Sequence, residues 1–380
     1  MLKKLRLTNF KAFGDPGLEI EPGLITVLIG PNGTGKSSVL QALLLLKQQR
    51  LQDTRLQASG SLINFGDYRH LVHNHEANLS MTLEFITNQN ATYYYYLAKF
   101  SELGNVAHYF QDFPSESAAS QVWRYPQPEL VLDQSTRDTV QVLIDNFLFI
   151  PTMRGFFQLH YDPGGQTPLD MPYLESPEQW SRSTAALLAY KGPILRWVSP
   201  RVWRIISGGE HGMAKDWLHM PWTARDNRSV VTPESATEAP LLHEGFGSNQ
   251  LVVLLTWLAF AKRQSIVGVE EPEIHLHPKA QGELAKVLAE TAIQDRKQLI
   301  LTTHSEHILT SLLIQVAAGL LKPEELAIYS FSRSEETDEA QAERLEITEK
   351  GSVKGGLRDF FEVERQEVDA YIQALSRHPQ

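Results

Sequence analysis

The segment Gly30–Ser37, GPNGTGKS, constrains the fold more than any other part of the chain. It matches the pattern G-x-x-x-x-G-K-[ST] at every fixed position. The apolar run LITVLI precedes it, and a leucine-rich helical pattern follows it. In that context the glycines let successive N–H groups point inward at phosphate oxygens, and the dipole of the following helix adds to the attraction. The segment therefore predicts an α/β fold with a site for a nucleoside triphosphate.

We call this segment the phosphate loop. We expect Lys36 to reach the β- and γ-phosphates and the Ser37 hydroxyl to bind Mg²⁺. The predicted nucleotide-binding residues are those of the loop and the residue after it: Gly30, Pro31, Asn32, Gly33, Thr34, Gly35, Lys36, Ser37 and Ser38.

A second acidic segment follows the predicted strand SIVGVE. A nucleotide site of this kind needs a carboxylate at the end of a neighbouring strand, and Glu270 occupies that position as a longer variant of the usual aspartate. We expect Glu270 to lie near the metal ion and Glu271 to orient the attacking water. Because the chain has no cysteine and no third ligand nearby, His275 and His277 are predicted to shape a turn rather than to bind zinc.

A third motif, LILTTHS, places His304 after another apolar strand. Ligands bind at the carboxyl ends of the strands in open α/β sheets, so this histidine can hydrogen-bond the γ-phosphate. The predicted catalytic residues are therefore Glu271 and His304.

The pattern along the chain predicts four regions. Residues 1–100 are predicted to be mostly strands, including SLINFGDYRHLVH and the run of four tyrosines at 93–96, which is expected to be covered on both faces. Residues 101–240 form a predicted insertion or lid, irregular up to 145, with a returning strand near 145–156. Residues 241–335 alternate strand and helix, which favours a parallel sheet, and residues 336–380 are predicted as a strand and a helix.

Composition limits the class of protein. The net charge of −10 argues against a globally basic nucleic-acid binder, and the absence of cysteine excludes disulfides and thiolate sites. No apolar run reaches membrane-spanning length, and MLKKLRLTNFKAFG is not a signal peptide. The expectation is a cytoplasmic protein without a membrane partner.

These motifs together resemble the ABC-type ATPases, in the branch that includes RecF, the SMC proteins and the OLD-like ATPases. The resemblance rests on the opening LTNFKAFGDPGLEIEPGLITVLIGPNGTGKSSVLQAL, on VEEPEIHLHPKAQ and on TTHSEHIL, and it covers roughly residues 1–50 and 240–330. It implies a P-loop NTPase fold with an ABC-type head of mixed and parallel sheets with flanking helices, and an inserted, partly helical region. The implied cofactors are ATP and Mg²⁺. Residues 1–100 and 241–335 would be the two parts of the head.

The resemblance also implies a signature loop that touches the ATP of another subunit. HEGFGSNQLVVLL takes the place of the usual LSGGQ, and the matching residues are Gly247, Ser248, Asn249 and Gln250. A homodimer or a higher homo-oligomer follows from this expectation. The magnesium-sensing glutamine of the family has no candidate, because residues 60–75 contain none. Arg154 is either a phosphate or interface arginine or a surface arginine that closes a turn.

The function implied is a nucleotide-dependent dimeric ATPase switch in prokaryotic antiphage defence, acting with a separate effector protein. Too few residues follow 335 for a nuclease domain, so nuclease activity is expected from a partner chain. The alternatives are a RecF-like DNA-binding repair ATPase and an ATP-bound scaffold with little turnover.

The insertion leaves three alternatives open: a nucleic-acid surface, a protein interface, or a small core built by its tryptophans. The residues concerned are Trp180, Trp197, Trp203, Trp217 and Trp222 and the basic residues Arg182, Lys191, Arg196, Arg201, Arg204, Lys215, Arg225 and Arg228. DNA therefore remains a possible partner.

Overall fold

The computed structural model describes residues 1–89, 91–101, 104–124, 134–162, 176–209, 216–225, 228–334 and 339–356. The strands within these ranges are β1 (Leu2–Thr8), β2 (Leu18–Ile20), β3 (Ile25–Ile29), β4 (Met81–Gln89), β5 (Thr92–Phe100), β6 (Val106–Phe113), β7 (Phe147–Ile150), β8 (Leu218–His219), β9 (Trp222–Arg225), β10 (Arg228–Val231), β11 (Glu234–Ser235), β12 (Ile266–Glu270), β13 (Gln298–Thr302), β14 (Leu326–Arg333) and β15 (Ala340–Leu345). The helices are α1 (Lys36–Gln48), α2 (Glu116–Arg124), α3 (Gln134–Asp145), α4 (Pro177–Tyr190), α5 (Gly192–Ile206), α6 (Phe246–Phe260), α7 (Pro278–Asp295) and α8 (Glu306–Ala317).

A six-stranded sheet carries the three sequence motifs. Its order is β15-β14-β3-β13-β12-β7, and all neighbours run parallel except β15, which is antiparallel to β14. Every residue of β3 and of β13 is buried, as expected for parallel strands whose two faces are covered. The predicted parallel sheet is confirmed. Because its strands are parallel, the carboxyl ends of β3, β12 and β13 lie at one edge.

A five-stranded antiparallel sheet, β2-β1-β4-β5-β6, forms the second layer. The four tyrosines lie in β5, where Tyr95 and Tyr96 are buried in two different hydrophobic clusters. The predicted covering of both faces is confirmed for these two rings, and Tyr95 Oη donates to Glu84 Oε2 at 2.9 Å.

The prediction that residues 101–145 are irregular is wrong. Strand β6 pairs with β5 from Val106 to Phe113, so the antiparallel sheet continues past residue 100. Helices α2 and α3 follow within the same region. An edge strand buries only some of its residues, and the sequence VAHYFQDF therefore lacks a continuous apolar pattern.

The prediction of a strand for SLINFGDYRHLVH is also wrong. This segment contains a 3-10 turn at Tyr68–His70, and another follows at His73–His75. Asp67 caps the first turn, since its side chain accepts from the backbone N–H of Arg69. Asn74 has a φ of 51° and His75 a φ of 60°, a left-handed conformation that ends any extended run.

The inserted region does not build a separate core. Helices α4 and α5 share one hydrophobic cluster with α6, α7 and one face of the six-stranded sheet. Trp180 packs edge-on against Trp257 at 4.9 Å between ring centroids, and Trp257 Nε1 donates to Thr184 Oγ1 at 2.9 Å. The tryptophans thus include core residues, but the core belongs to the whole head.

The basic side chains of the insertion that the structure describes include two with internal partners. Arg201 stacks on Trp197 at 4.0 Å, and Arg204 forms ion pairs with Glu283 and Glu290. The Arg204 ion pairs attach α5 to α7, whereas the Arg201–Trp197 contact lies within α5. Trp222 stays exposed, and the predicted basic residue Lys215 lies outside the described residues.

Strand β15 lies within 336–380, where a strand and a helix are predicted, and the predicted helix lies outside the described residues. No helix among the described residues combines the length and the apolar character that crossing a membrane requires.

Candidate functional site

The phosphate loop joins the end of β3 to the start of α1. Gly30 has a φ of 136°, and a Cβ added there would lie 2.2 Å from the carbonyl oxygen of Phe331. Gly35 has a φ of 95°, and its added Cβ would lie 2.7 Å from Cζ of Phe13. Both positions require glycine, because the backbone is left-handed and its neighbours leave no space for a side chain.

The ammonium of Lys36 lies over the loop. Its Nζ donates to the carbonyl oxygens of Gly30 at 2.8 Å and of Pro31 at 2.7 Å. Burial lowers the pKa of Lys36, an effect that the nearby Glu271 opposes. Arg333, at the end of β14, donates to the Gly33 carbonyl at 3.0 Å and supports the outer side of the loop.

Glu270 and Ser37 meet across the sheet edge. The Ser37 side chain hydrogen-bonds Glu270, and Thr152 Oγ1 donates to Glu270 Oε2 at 3.5 Å. Burial raises the pKa of the Glu270 carboxyl, and the adjacent Glu271 raises it further. A hydroxyl and a carboxylate under excess negative charge suit a hard divalent cation. Mg²⁺ usually binds one or two carboxylates and completes its shell with phosphates and water. The residues present therefore fit Mg²⁺.

Glu271 leaves the line of β12. Its φ is 41°, and its N–H donates to the Thr302 carbonyl at 2.9 Å, at the end of the neighbouring strand. The left-handed backbone turns the chain at this point, and Glu271 lines a cleft together with Thr302 and His304. The two predicted catalytic residues are thus brought to one cleft.

Glu273 links the acidic segment to the histidine. It is buried, and its Oε1 accepts from Thr303 Oγ1 at 2.6 Å and from the His304 N–H at 2.9 Å. Sequence reasoning missed this residue, although it is the third glutamate of EEPE. Burial lowers the pKa of His304, and the neighbouring Lys36 lowers it further, whereas Glu271 opposes the shift. The lowered pKa favours the neutral imidazole, which has one ring N–H to donate.

The cleft has a volume of ≈ 620 Å³ and extends from the phosphate loop to the 3-10 segment at residues 68–75. The sequence analysis did not predict several of its lining residues: Lys11, Gln41, His70, Val72, His73, Asn74, His75 and Arg333.

Lys11 is a second cation in this cleft, and it is half-buried. Its Nζ donates to Gln41 Oε1 at 2.5 Å and lies 4.9 Å from the centroid of the Phe65 ring. Burial lowers the pKa of Lys11, and Glu270 opposes this shift. The sequence signal for this residue is the lone lysine in LTNFKAF. Strands β2 and β3 lie between it and the phosphate loop.

We expect Lys11→Met to weaken nucleotide binding by roughly 10- to 150-fold, since a charge-assisted hydrogen bond contributes about 1.5–3 kcal/mol. Isothermal titration with ATP and Mg²⁺ would measure this change. The exposed Lys350→Met is the control and should bind as the parent does. An unchanged dissociation constant for Lys11→Met would mean that Lys11 only packs against Gln41 and Phe65.

The structure places the predicted signature residues at the start of α6. A Cβ added to Gly247 would lie 2.4 Å from the His275 carbonyl oxygen, so the helix start packs closely on its own chain. Ser248 is half-buried, but Asn249 is 1% exposed and Gln250 is 4% exposed. Within this chain α6 turns the Asn249 and Gln250 side chains inward. The contact of the signature residues with another subunit stays a prediction.

The surface or interface location predicted for Arg154 is wrong, but the side chain does close a turn, since its Nη1 donates to the Pro151 carbonyl at 2.7 Å. The side chain is 1% exposed, so it is neither a surface residue nor available to a partner. It donates to the carbonyl oxygens of Pro151, Glu270 and Glu271. Sequence alone could not show the contacts with Glu270 and Glu271, because these acceptors are more than 100 residues from the arginine.

The two histidines of the acidic segment shape the turn before α7, as predicted. His277 caps the helix, since its Nδ1 accepts from the Lys279 N–H at 3.3 Å. His275 has a φ of 62° and packs edge-on against Phe246, with ring centroids 5.0 Å apart.

Comparison with known proteins agrees with this geometry. The AAA ATPase domain family matches residues 1–116 and 208–309, more than half of the chain. The OLD nuclease of Thermus scotoductus is 26% identical over 325 residues, which cover 80% of this chain and 59% of that protein. This chain thus spans about three fifths of that relative's length. The chromosome partition protein Smc of Thauera aminoaromatica is 46% identical over 41 residues, covering 11% of this chain and 3% of that protein.

Two solved structures share the fold. One is an Smc head bound to the C-winged helix domain of ScpA, with a TM-score of 0.53, 14% identity and coverage of 91% of this chain and 98% of that one. The other is the Pyrococcus furiosus Smc head domain with an extended coiled coil, bound to the C-terminal domain of ScpA, with a TM-score of 0.52, 10% identity and coverage of 90% and 96%. The predicted fold class and the resemblance to SMC and OLD-like ATPases are confirmed. The chain belongs to the AAA ATPase domain family.

Proposed function

We propose that this chain binds ATP with Mg²⁺ and hydrolyses it, and that two copies use this cycle as a nucleotide-dependent switch. The observation that carries the proposal is the meeting of Lys36, Glu271 and His304 in one cleft at the carboxyl ends of β3, β12 and β13.

Each side chain has a defined task in this proposal. Lys36 and Lys11 oppose the negative charge of the phosphates, and Ser37 and Glu270 hold Mg²⁺. When bound, Mg²⁺ neutralises charge that develops on the phosphate oxygens. Glu271 accepts a hydrogen bond from the attacking water and holds it in line with the γ-phosphate. The neutral His304 donates its ring N–H to a γ-phosphate oxygen.

A second copy would complete the site through the start of α6. Ser248 is the half-buried member of the four signature residues, and the neighbouring Phe246 is 44% exposed. Backbone N–H groups at a helix start favour an anion, which suits a γ-phosphate presented by the other copy.

The biological setting proposed is prokaryotic antiphage defence, with a separate effector protein under the control of the switch. Similarity to an OLD nuclease over 80% of the chain supports a nuclease as the effector that the switch controls. The Smc heads of similar fold are bound to a second protein, ScpA, which supports a partner that docks on the head.

Phosphate release per protomer, measured against protein concentration, tests the proposed function. We expect the rate to rise with concentration, because two protomers are needed for each site. Ser248→Arg should remove this rise by blocking the approach of the second copy, whereas the exposed Ser117→Arg on α2 should not.

Other outcomes separate the alternatives. A flat rate from a protein that sizes as a monomer would contradict the composite site. Absence of turnover at every concentration would favour an ATP-bound scaffold. Stimulation by duplex DNA alone would favour a RecF-like repair ATPase.

A further inference from the structure

Residues 151–157 form a connecting segment between the acidic residues of the cleft and the start of α6. The segment begins where β7 ends, next to β12 in the six-stranded sheet. One of its residues, Arg154, contacts the acidic segment, and another, Phe156, contacts α6. The two contacts are two residues apart in the chain.

At the first end, Arg154 holds the backbone on both sides of Glu271. Its Nη1 donates to the Glu270 carbonyl and its Nη2 donates to the Glu271 carbonyl, both at 2.9 Å. These two carbonyls belong to the peptide groups before and after the Cα of Glu271. A single planar guanidinium therefore sets the orientation of the residue between them.

The backbone that Arg154 holds is unfavourable for a residue with a side chain. Glu271 has a φ of 41°, in the left-handed region, which a glutamate adopts only when its surroundings require it. The guanidinium is buried and has the carboxylates of Glu270, Glu271 and Glu273 near it. Buried charge of this kind is retained where opposite charge and hydrogen bonds surround it.

At the second end, Asn249 holds Phe156 by two hydrogen bonds. The Phe156 N–H donates to Asn249 Oδ1 at 2.5 Å, and Asn249 Nδ2 donates to the Phe156 carbonyl at 2.9 Å. Asn249 and Phe156 are each 1% exposed. Asn249 directly follows Ser248, the signature residue that we propose approaches the other copy.

The residue between the two ends has little freedom to absorb a movement. Gly155 has a φ of 146°, and a Cβ added there would lie 3.3 Å from Asn249 Oδ1. Its carbonyl accepts from the Ser181 hydroxyl of α4, which also donates to the Pro177 carbonyl at 2.7 Å. The connecting segment is thus fixed by α4, by α6 and by the end of β12.

We propose that Arg154 and Asn249 are positioning residues that couple the start of α6 to the carboxylate of Glu271. A displacement of α6 when a second copy docks moves Asn249, then Phe156 and Arg154, and so turns the peptide groups that flank Glu271. Docking at Ser248 therefore sets the alignment of the water-orienting glutamate in the same chain. This inference rests on the proposed hydrolytic function.

The experiment is a double-mutant cycle between Arg154→Lys and Glu271→Gln, read as kcat and as the dissociation constant for ATP. Lysine keeps the charge but cannot bridge two carbonyls. We expect Arg154→Lys to lower kcat by at least about tenfold, since small displacements of a reacting group have effects of that size or larger. The ATP dissociation constant should stay within about twofold, and in the Glu271→Gln background the second substitution should change kcat by less than about twofold.

Asn249→Ala tests the other end of the segment. We expect it to lower kcat and to leave ATP binding unchanged, again only while Glu271 is present. Thr256→Val is the matched control, because Thr256 is buried on the same helix and its hydroxyl donates only within α6, to Val252. If Arg154→Lys fails to fold, the double-mutant cycle is measured with Asn249→Ala in its place, again combined with Glu271→Gln.

Additive effects of Arg154→Lys and Glu271→Gln would overturn the coupling, as would equal kcat values for Asn249→Ala and Thr256→Val. Failure of the proposed function is a different result, since the parent protein would then show no turnover that depends on Glu271.

Discussion

Replacement of Glu271 by glutamine is expected to lower the rate of ATP hydrolysis by about 10²- to 10⁴-fold, the range that a positioned general base contributes. The amide has nearly the same shape, but its oxygen is a much weaker acceptor and base than a carboxylate. ATP affinity should change by less than about twofold, since Glu271 acts on the water and glutamine removes a negative charge near the phosphates. The variant should therefore accumulate the ATP-bound state.

Single-turnover phosphate release and equilibrium ATP binding measure the two halves of this expectation. The exposed Glu349→Gln is the control, because it makes the same chemical change in the C-terminal turn. If Glu271→Gln hydrolyses ATP at the parent rate, another group orients the attacking water. Glu270, the preceding residue, would then be tested by the same substitution.

Replacement of Lys36 by alanine is expected to weaken ATP binding by about 10²-fold, which corresponds to about 2–3 kcal/mol for charge-assisted hydrogen bonds to phosphate. In this structure the ammonium already lies over the carbonyls of Gly30 and Pro31, within the loop that receives the phosphates. Little side-chain ordering is then required when ATP binds, so most of the interaction energy appears as affinity.

Titration with ATP and Mg²⁺ checks this prediction, with Lys350→Ala as the exposed control. Thermal unfolding without nucleotide should be measured in parallel, because Lys36 also joins two turns of the loop. A variant that unfolds at the parent temperature and binds ATP with the parent affinity would contradict the assignment of Lys36 to the phosphates.

The sequence predicted those parts of the site whose chemistry is local. The phosphate loop, the acidic segment and His304 each lie within a few residues of a buried strand, and the parallel sheet brings the three strand ends together. One short motif at the end of each strand was therefore sufficient to predict which residues lie near one another. The helix cap at His277 could be predicted for the same reason, since the cap and the capped N–H are two residues apart.

The sequence did not predict the parts that depend on contacts between distant segments. Arg154 donates to carbonyl oxygens more than 100 residues later, and Asn249 pairs with a backbone group 93 residues earlier. Every residue has a backbone carbonyl and nearly every residue a backbone N–H, so the residue type of the partner gives no sign of such a hydrogen bond. The sequence SLINFGDYRHLVH predicts a strand, whereas capping by Asp67 produces a 3-10 turn within it and the left-handed Asn74 produces another after it.

The position of β13 between β3 and β12 determines how wide the cleft can be. The strands that lead to Lys36 and to Glu270 lie two inter-strand spacings apart, about 9.6 Å, and the residues after β13 form the floor between them. Thr302, the last residue of β13, pairs with Leu28 of β3 on one side and with Glu270 of β12 on the other. This register fixes the position of the floor along the strand direction. A slip of β13 by one residue would move Thr302 by about 3.3 Å along the strand and turn its side chain to the other face of the sheet. The pairing of the central strand thus fixes the relative positions of the phosphate loop and the acidic segment.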